Sequence, residues 1–209
     1  MATEVLVQGR TGPVVQADGS YGYGRQDRTA ALVTTDAHGR YQEGTARGAI
    51  FMAANSANQA LSVANATATG IILSNPFGSG KNLILLEAIA VIDVAATAMG
   101  AIALFANVNP VAAATTHTTP LIVRPTLLGS TNTTVGLADS SATLPATPVI
   151  VRPLMGVYWI TANAAVVNFT VKDEIAGALA IAPGCAVSIQ AVTTAVTGLF
   201  SLTWEEVPV

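Results

Sequence analysis

The sequence predicts an all-β protein: an antiparallel, jelly-roll-like β-sandwich that follows an extended N-terminal arm. Hydrophobic residues make up 51% of the 209 residues, yet aromatic residues are only 5% and charged residues only 10%. Small aliphatic side chains interleaved with Thr, Ser and Asn are typical of strands and polar loops. In several stretches the apolar residues recur with a period of two, which indicates half-buried strands. The composition changes near residue 48, so we divide the chain into an arm, residues 1–48, and a body, residues 49–209.

The arm is rich in glycine and polar residues, and it holds five of the nine basic residues of the chain. Such a segment buries too little apolar surface to offset the entropy lost on ordering, so it either folds against a partner or stays a flexible leader. In the first case its arginines supply charge-assisted hydrogen bonds and its tyrosines supply anchors. The predicted partner-binding residues are Arg10, Tyr21, Tyr23, Arg25, Arg28, Arg40, Tyr41 and Arg47.

The body is organised around residues 70–94, where a short apolar strand, a turn and a long strand follow one another. Residues 75–80 contain Asn, Pro and two Gly, which predicts a hairpin or a corner between two sheets. From Leu83 onward the alternation predicts a long strand with one wholly apolar face. That predicted face consists of Ile84, Leu86, Ala88, Ala90 and Ile92.

The same turn is similar to the end of a phosphate-binding loop, because it reads Gly78-Ser79-Gly80-Lys81. Such a loop requires a glycine five residues before Gly80, where Asn75 stands, and a Ser or Thr after the lysine, where Asn82 stands. It also leads into a helix, whereas a strand pattern follows here. We therefore interpret the segment as a structural turn.

The middle of the chain contains further strand patterns and a short internal repeat, whose two copies we call the echo segments. Residues 49–69 are interpreted as an entering strand, although their propensities also permit a short helix. Residues 101–108 form the next strand pattern, and the segment TPLIVRP at residues 119–125 recurs as TPVIVRP at residues 147–153. Proline at both ends confines each copy to a sheet edge or a short extended segment, because proline cannot donate to a ladder. Each copy then presents its arginine, Arg124 or Arg152, as an oligomer or edge contact.

The last third contains three strand patterns at close intervals, which is typical of an antiparallel sandwich or barrel. They cover residues 167–171, 185–191 and 199–204, and Glu205-Glu206 is expected to end the last one with charge. The body then contains about eight strands, which suits a jelly roll.

No cluster of residue types points to catalysis, a cofactor or a metal. Glu87 and Asp93 share a strand face but lie about 20 Å apart, too far for a pair of catalytic carboxylates. His38 and His117 are far apart in sequence and are interpreted as solvated loop residues. Cys185 starts an apolar face without a neighbouring basic residue, so we expect burial rather than activation. We therefore expect no enzyme, and the net charge of −3 argues against sequence-independent nucleic-acid binding.

The distribution of charge also argues against membrane insertion and secretion. Glu87, Asp93 and Gly100 interrupt the most apolar region, residues 83–108, so no clean run of about 18 apolar residues remains. The N-terminus has an acid at Glu4 and no basic segment before an apolar run, so no secretory signal is predicted. One cysteine allows no intrachain disulfide, and we expect synthesis in the cytoplasm.

Two segments resemble sequences of small virion proteins encoded by tailed bacteriophages. They are residues 27–51 (DRTAALVTTDAHGRYQEGTARGAIF) and residues 73–88 (LSNPFGSGKNLILLEA). Members of this family are similar to jelly-roll decoration or cement proteins, which bind capsid shells, commonly as trimers. The resemblance implies a homotrimer on the virion surface with the major capsid protein as its partner, and it implies no catalytic residues.

Two other functions fit the same composition. The chain is also compatible with a tail, baseplate or fibre-base component of the particle. A carbohydrate-binding adhesin module is a further alternative, in which the aromatic residues Tyr158, Trp159 and Trp204 line a sugar site. These aromatic residues lie in strand patterns, where packing in the core is the competing role.

Overall fold

The computed structural model describes residues 39–94, 100–111, 115–157 and 169–209, and in it the body is a β-sandwich of two antiparallel sheets. The predicted fold class is therefore confirmed. Gly44–Val209 forms one compact unit, while most of the predicted arm, up to residue 38, lies outside the described residues. The described elements are α1 (Gln42–Ala46), β1 (Ile50–Ala54), β2 (Gln59–Ala60), β3 (Thr67–Ser74), β4 (Lys81–Val94), β5 (Gly100–Asn107), β6 (Thr116–Pro120), β7 (Arg124–Pro125), β8 (Leu137–Thr143), β9 (Val149–Val157), β10 (Phe169–Ile181), β11 (Ala186–Ala191) and β12 (Thr197–Pro208).

Each sheet contains six of these strands. The first sheet has the order β10-β4-β12-β1-β7, with β2 also paired to β12, and the second has the order β6-β8-β3-β11-β5-β9. Consecutive strands often lie in different sheets, so the chain crosses repeatedly from one layer to the other. The predicted entering strand at residues 49–69 is in fact three shorter pieces, β1, β2 and the start of β3, divided between the two sheets.

The turn at residues 75–80 is a corner between the sheets, because β3 belongs to the second sheet and β4 to the first. The buried side-chain amide of Asn75 donates hydrogen bonds to the carbonyls of Lys81 at 2.7 Å and Ile181 at 2.8 Å. Gly78 and Gly80 have φ angles of 80° and 71°, which glycine adopts without a steric penalty. Lys81 begins a strand rather than a helix, so the structural interpretation of this turn is confirmed.

The core lies between the two sheets as one cluster of buried aliphatic and aromatic side chains. Strand β12 contributes Phe200, Leu202 and Trp204 on one face, as the alternation predicts. The Trp204 ring packs at a 30° tilt against Phe51 of β1, with 6.4 Å between the ring centroids. Burial of large side chains of this kind contributes about 1.5–3 kcal/mol each, and it is the main force that holds the two sheets together.

The predicted apolar face of β4 is correct for Ala88, Ala90 and Ile92 but wrong at the start of the strand. Leu83 and Leu85 are fully buried, whereas Ile84 is only half-buried. The cause is a β-bulge: the partners of β12 shift register so that Thr203 lies opposite Glu87 and Trp204 opposite Leu85. Leu86 is the extra residue, and one extra residue exchanges the two faces of a strand. Leu86 itself stays buried within the bulge.

The C-terminal strand is longer than the sequence predicts. Glu205-Glu206 does not end β12, which continues to Pro208 and pairs with β4 as far as Lys81. Glu206 follows Phe200, Leu202 and Trp204 on the inward face of the strand and is buried with them.

The face exchange at Leu86 yields a first prediction. Leu85→Ala should lower the free energy of unfolding by about 3 kcal/mol, because it leaves a cavity in the core. The matched change Ile84→Ala should cost only about 1 kcal/mol, since that side chain is half-exposed. Chemical denaturation of both variants measures the difference, and a larger loss for Ile84→Ala would contradict the assignment of faces.

Candidate functional site

The predicted partner-binding residues of the arm fall into two groups. Five of them, Arg10, Tyr21, Tyr23, Arg25 and Arg28, lie outside the described residues. The other three are Arg40, Tyr41 and Arg47. The guanidinium carbon of Arg40 lies 5.4 Å from the centroid of the Tyr41 ring, a cation–π contact between neighbouring residues. Their role in binding a partner stays a prediction.

Arg47 lines an open polar cleft of about 490 Å³, which we call the Arg47 cleft. It lies where the chain enters β1, and its walls also include Lys81, Glu206 and residues 131–133. The entrance is shaped by Gly48, whose φ angle is 67° and whose carbonyl accepts a hydrogen bond of 3.2 Å from the Asn132 side chain. The cleft therefore joins the end of the predicted arm to the loop before β8.

Glu206 is the main polar element beneath this cleft. One carboxylate oxygen, Oε2, accepts a hydrogen bond of 2.8 Å from Lys81 Nζ. The other, Oε1, accepts from the Thr134 hydroxyl and from the backbone N–H groups of Val135 at 2.8 Å and Gly136 at 3.3 Å. Burial raises the pKa of Glu206, but these four donors outweigh it and lower the pKa below its ordinary value. The carboxylate thus fastens the loop before β8 to the first sheet.

The echo segments lie on sheet edges, as their prolines predict. Strand β7, within the first copy, ends the first sheet of the described strands. Strand β9, which begins in the second copy and continues to Val157, ends the second sheet. Arg124 is exposed on β7. Arg152 instead reaches Asp173 on β10, with hydrogen bonds of 2.6 Å and 3.0 Å from its guanidinium nitrogens. This pair joins the neighbouring edges of the two sheets, and a role for either arginine between subunits stays a prediction.

Large aliphatic side chains are exposed along both edges. Ile122 and Leu128, which flank β7, expose 71% and 75% of their surface, and Ile150 on β9 exposes 49%. The remaining members of the two groups are Leu127 beside β7, and Val149 and Val151 on β9. We call these two groups the aliphatic edges. Groups of exposed apolar side chains mark a contact with another molecule more often than an isolated exposed residue does.

A second cavity, of about 570 Å³, lies between residues 117–123 and residues 132–139, and we call it the His117 cavity. His117 Nδ1 is hydrogen-bonded to Asp139 Oδ2. The sequence interpretation of His117 as a solvated loop residue is wrong, because His117 lies in β6 and pairs with a buried carboxylate. Residue types alone did not indicate this pair, since β6 has the weak strand sequence THTTP.

Other expected reactive groups are located as follows. Cys185 is half-buried, and burial raises the pKa of its thiol, which agrees with the predicted absence of activation. Glu87 forms an ion pair of 2.9 Å with Lys172. Among the described residues, no three His, Cys, Asp or Glu side chains lie close enough together to hold a metal ion. His38 lies outside the described residues.

Trp204 does not line a surface site, since it is 0% exposed and packs in the core. The other two aromatic residues of the adhesin alternative, Tyr158 and Trp159, lie outside the described residues. In the part of the chain that the structure describes, no helix has the length and apolar character needed to cross a membrane.

Comparison of the chain with models of protein families, with curated proteins and with solved structures finds no match. The features of the molecule that bear on its function are therefore the fold, the aliphatic edges, the Arg47 cleft and the His117 cavity.

The donors around Glu206 yield a second prediction. Because folding lowers the pKa of this carboxyl, its contribution to stability is present above the unfolded pKa of about 4.3 and is lost as the pH falls through the folded pKa. Glu206→Gln should therefore destabilise the protein at neutral pH, by about 2 kcal/mol, and flatten the fall of Tm on acidification. Thermal denaturation between pH 7 and pH 3 measures both effects.

The neighbouring change Glu205→Gln is the matched control, because that side chain is half-exposed on the opposite face of β12. It should leave the acid profile close to that of the wild type. Equal profiles for Glu206→Gln and the wild type would contradict the assigned role of Glu206.

Proposed function

We propose that this chain is a structural protein of a tailed-bacteriophage virion, namely a homotrimeric decoration or cement protein that binds the major capsid protein on the head. In this proposal it is synthesised in the host cytoplasm and stabilises the capsid without catalysis, cofactor, nucleic acid or membrane. The resemblance of residues 27–51 and 73–88 to such proteins motivates the proposal.

The structural observation that carries the proposal is the pair of aliphatic edges. Sandwich proteins usually protect their edge strands with charged side chains. Here each edge has one arginine, Arg124 on β7 and Arg152 on β9, and exposed Ile, Leu and Val side chains lie beside β7 and on β9. Only 10% of the residues are charged, so the rest of the surface contributes little charge to keep a monomer with these exposed apolar side chains in solution. Closed symmetric association, or docking on a capsid lattice, buries it.

The prolines of the echo segments favour a defined assembly over open strand addition. Pro125, Pro148 and Pro153 lack the N–H group that a neighbouring strand would bind. Contacts at these edges are therefore made through side chains, which specify geometry, rather than through an extended ladder that grows into fibres. A protein present in many copies on one particle needs this property.

A third prediction tests the place of the protein in the particle. In purified particles of the phage that encodes the chain, its copy number should equal that of the major shell protein or a simple fraction of it. Quantitative mass spectrometry of intact particles and of separated heads and tails measures the ratio. A handful of copies per particle, located in the tail fraction, would support the tail or baseplate alternative, and absence of the chain from particles would overturn the proposal.

A fourth prediction tests the aliphatic edges. Ile122→Glu and Ile150→Glu should each weaken self-association and binding to heads by about tenfold or more, because a charge is then buried in an apolar contact. Both side chains are well exposed, so folding should be retained, as circular dichroism checks. Light scattering after size exclusion and cosedimentation with undecorated heads measure the two kinds of binding.

Leu199→Glu is the matched control for these edge variants. Leu199 is also an exposed aliphatic residue, 39% accessible, but it lies on β12, an inner strand of the first sheet. Its replacement should leave association unchanged. If both edge variants associate like the wild type, the aliphatic edges are not the contact surface.

A further inference from the structure

The His117 cavity has the size and lining of a small-molecule site. Its volume of about 570 Å³ lies within the range of about 300–1,000 Å³ that ligand pockets occupy. One part of its lining is apolar and includes Leu121, Val123 and Leu137. The other part is polar and includes Thr133, Thr134 and the His117–Asp139 pair, so an apolar body and a hydrogen-bonding group fit side by side.

The His117–Asp139 pair presents one defined chemical group to this cavity. The side chain of Asp139 is 1% exposed, whereas that of His117 is 26% exposed, so the imidazole is the accessible end of the pair. When Asp139 is a carboxylate, it can only accept, so the donor of this hydrogen bond is then Nδ1–H of His117. In the neutral ring Nε2 then carries the lone pair and acts as an acceptor, with its orientation held by Asp139.

The pair is incompletely satisfied, which argues against a purely structural role. Asp139 Oδ1 is buried and has no hydrogen-bond partner among the described residues. Glu206, by contrast, receives four donors on its two oxygens. A buried carboxylate with an unpaired oxygen lowers stability, so such a group is kept for what it does to its neighbour more often than for stability.

The surroundings restrict the chemistry of the ligand. No Lys or Arg lines the cavity, so an anion finds no countercharge there. The carboxylate is not reachable by a ligand cation, because Oδ1 is enclosed and Oδ2 is bonded to His117. A metal ion lacks ligands, since no three candidate side chains converge among the described residues. What remains is a neutral molecule that donates one hydrogen bond.

We propose that the His117 cavity binds a small neutral phenol, whose hydroxyl donates a hydrogen bond to Nε2 of His117. The apolar part lies against Leu121, Val123 and Leu137. None of the residues that define the aliphatic edges lines this cavity, and the proposed ligand does not depend on the proposed virion function.

The experiment is a titration of the full-length protein with p-cresol and with toluene, which has the same ring and methyl group but no hydroxyl. Isothermal calorimetry should show p-cresol binding about tenfold more tightly, the effect of one hydrogen bond of ordinary net strength. Nitrogen-15 NMR of labelled histidine should show a shift of the His117 Nε2 signal with p-cresol and none with toluene.

Variants distinguish the contribution of the His117 acceptor to binding from the contribution of the apolar lining. His117→Phe keeps a ring of similar size and should bind the two compounds with equal affinity. Asp139→Asn should retain the cavity but reduce the preference for p-cresol, because an amide holds the orientation of the imidazole less firmly than a carboxylate does. Lys172→Gln, on the edge strand β10, is the control and should bind like the wild type.

Three outcomes would overturn the proposal. They are equal affinity of the wild type for p-cresol and toluene, no heat and no His117 shift with either compound, and a p-cresol preference that survives His117→Phe. The NMR measurement uses the wild-type protein alone, so it tests the hydrogen bond to His117 even if a variant fails to fold.

Discussion

The antiparallel pairing of β4 with β12 is the interaction on which the rest of the sandwich depends. It runs from Val94 opposite Thr197 to Lys81 opposite Pro208, and it places the buried faces of both strands in the core. A slip of one residue would turn Leu202 and Trp204 toward the outside of the first sheet. The bulge at Leu86 keeps the two strands in phase, because it brings Leu85 back to the face that Trp204 occupies.

A body with so few charges has to distribute its apolar residues between the core and the surface. The two sheets bury most of the large side chains, but the strands that end them have a partner on one side only. The ion pair Arg152–Asp173, between β9 and β10, and the ion pair Lys172–Glu87, between β10 and β4, supply polar cover at one side of the sandwich. Despite these ion pairs, the aliphatic edges still expose Ile122 and Ile150 to solvent.

The two buried acidic residues, Glu206 and Asp139, have different hydrogen-bond environments. Glu206 and Asp139 both lie near the loop that precedes β8, and both are removed from water. Glu206 is surrounded by donors, so it stabilises the fold and fastens the loop. Asp139 has one partner, and that partner is the accessible imidazole of His117. The number of hydrogen-bond partners therefore distinguishes Glu206, which has a structural role, from Asp139, which orients His117 for the proposed binding.

The local pattern of the chain was enough to predict the β-sandwich, a reversal of the chain at residues 75–80, and an edge or short extended position for the echo segments. These depend on period-two alternation, turn residues and the missing N–H of proline, which act within a few residues of one another. Even Glu206 could have been found by extending the alternation of Phe200, Leu202 and Trp204 by one step. Sequence reasoning could not have found the bulge at Leu86 or the contact of His117 with Asp139. Both depend on the register between strands that are distant in sequence, and the local sequence of one strand does not determine that register.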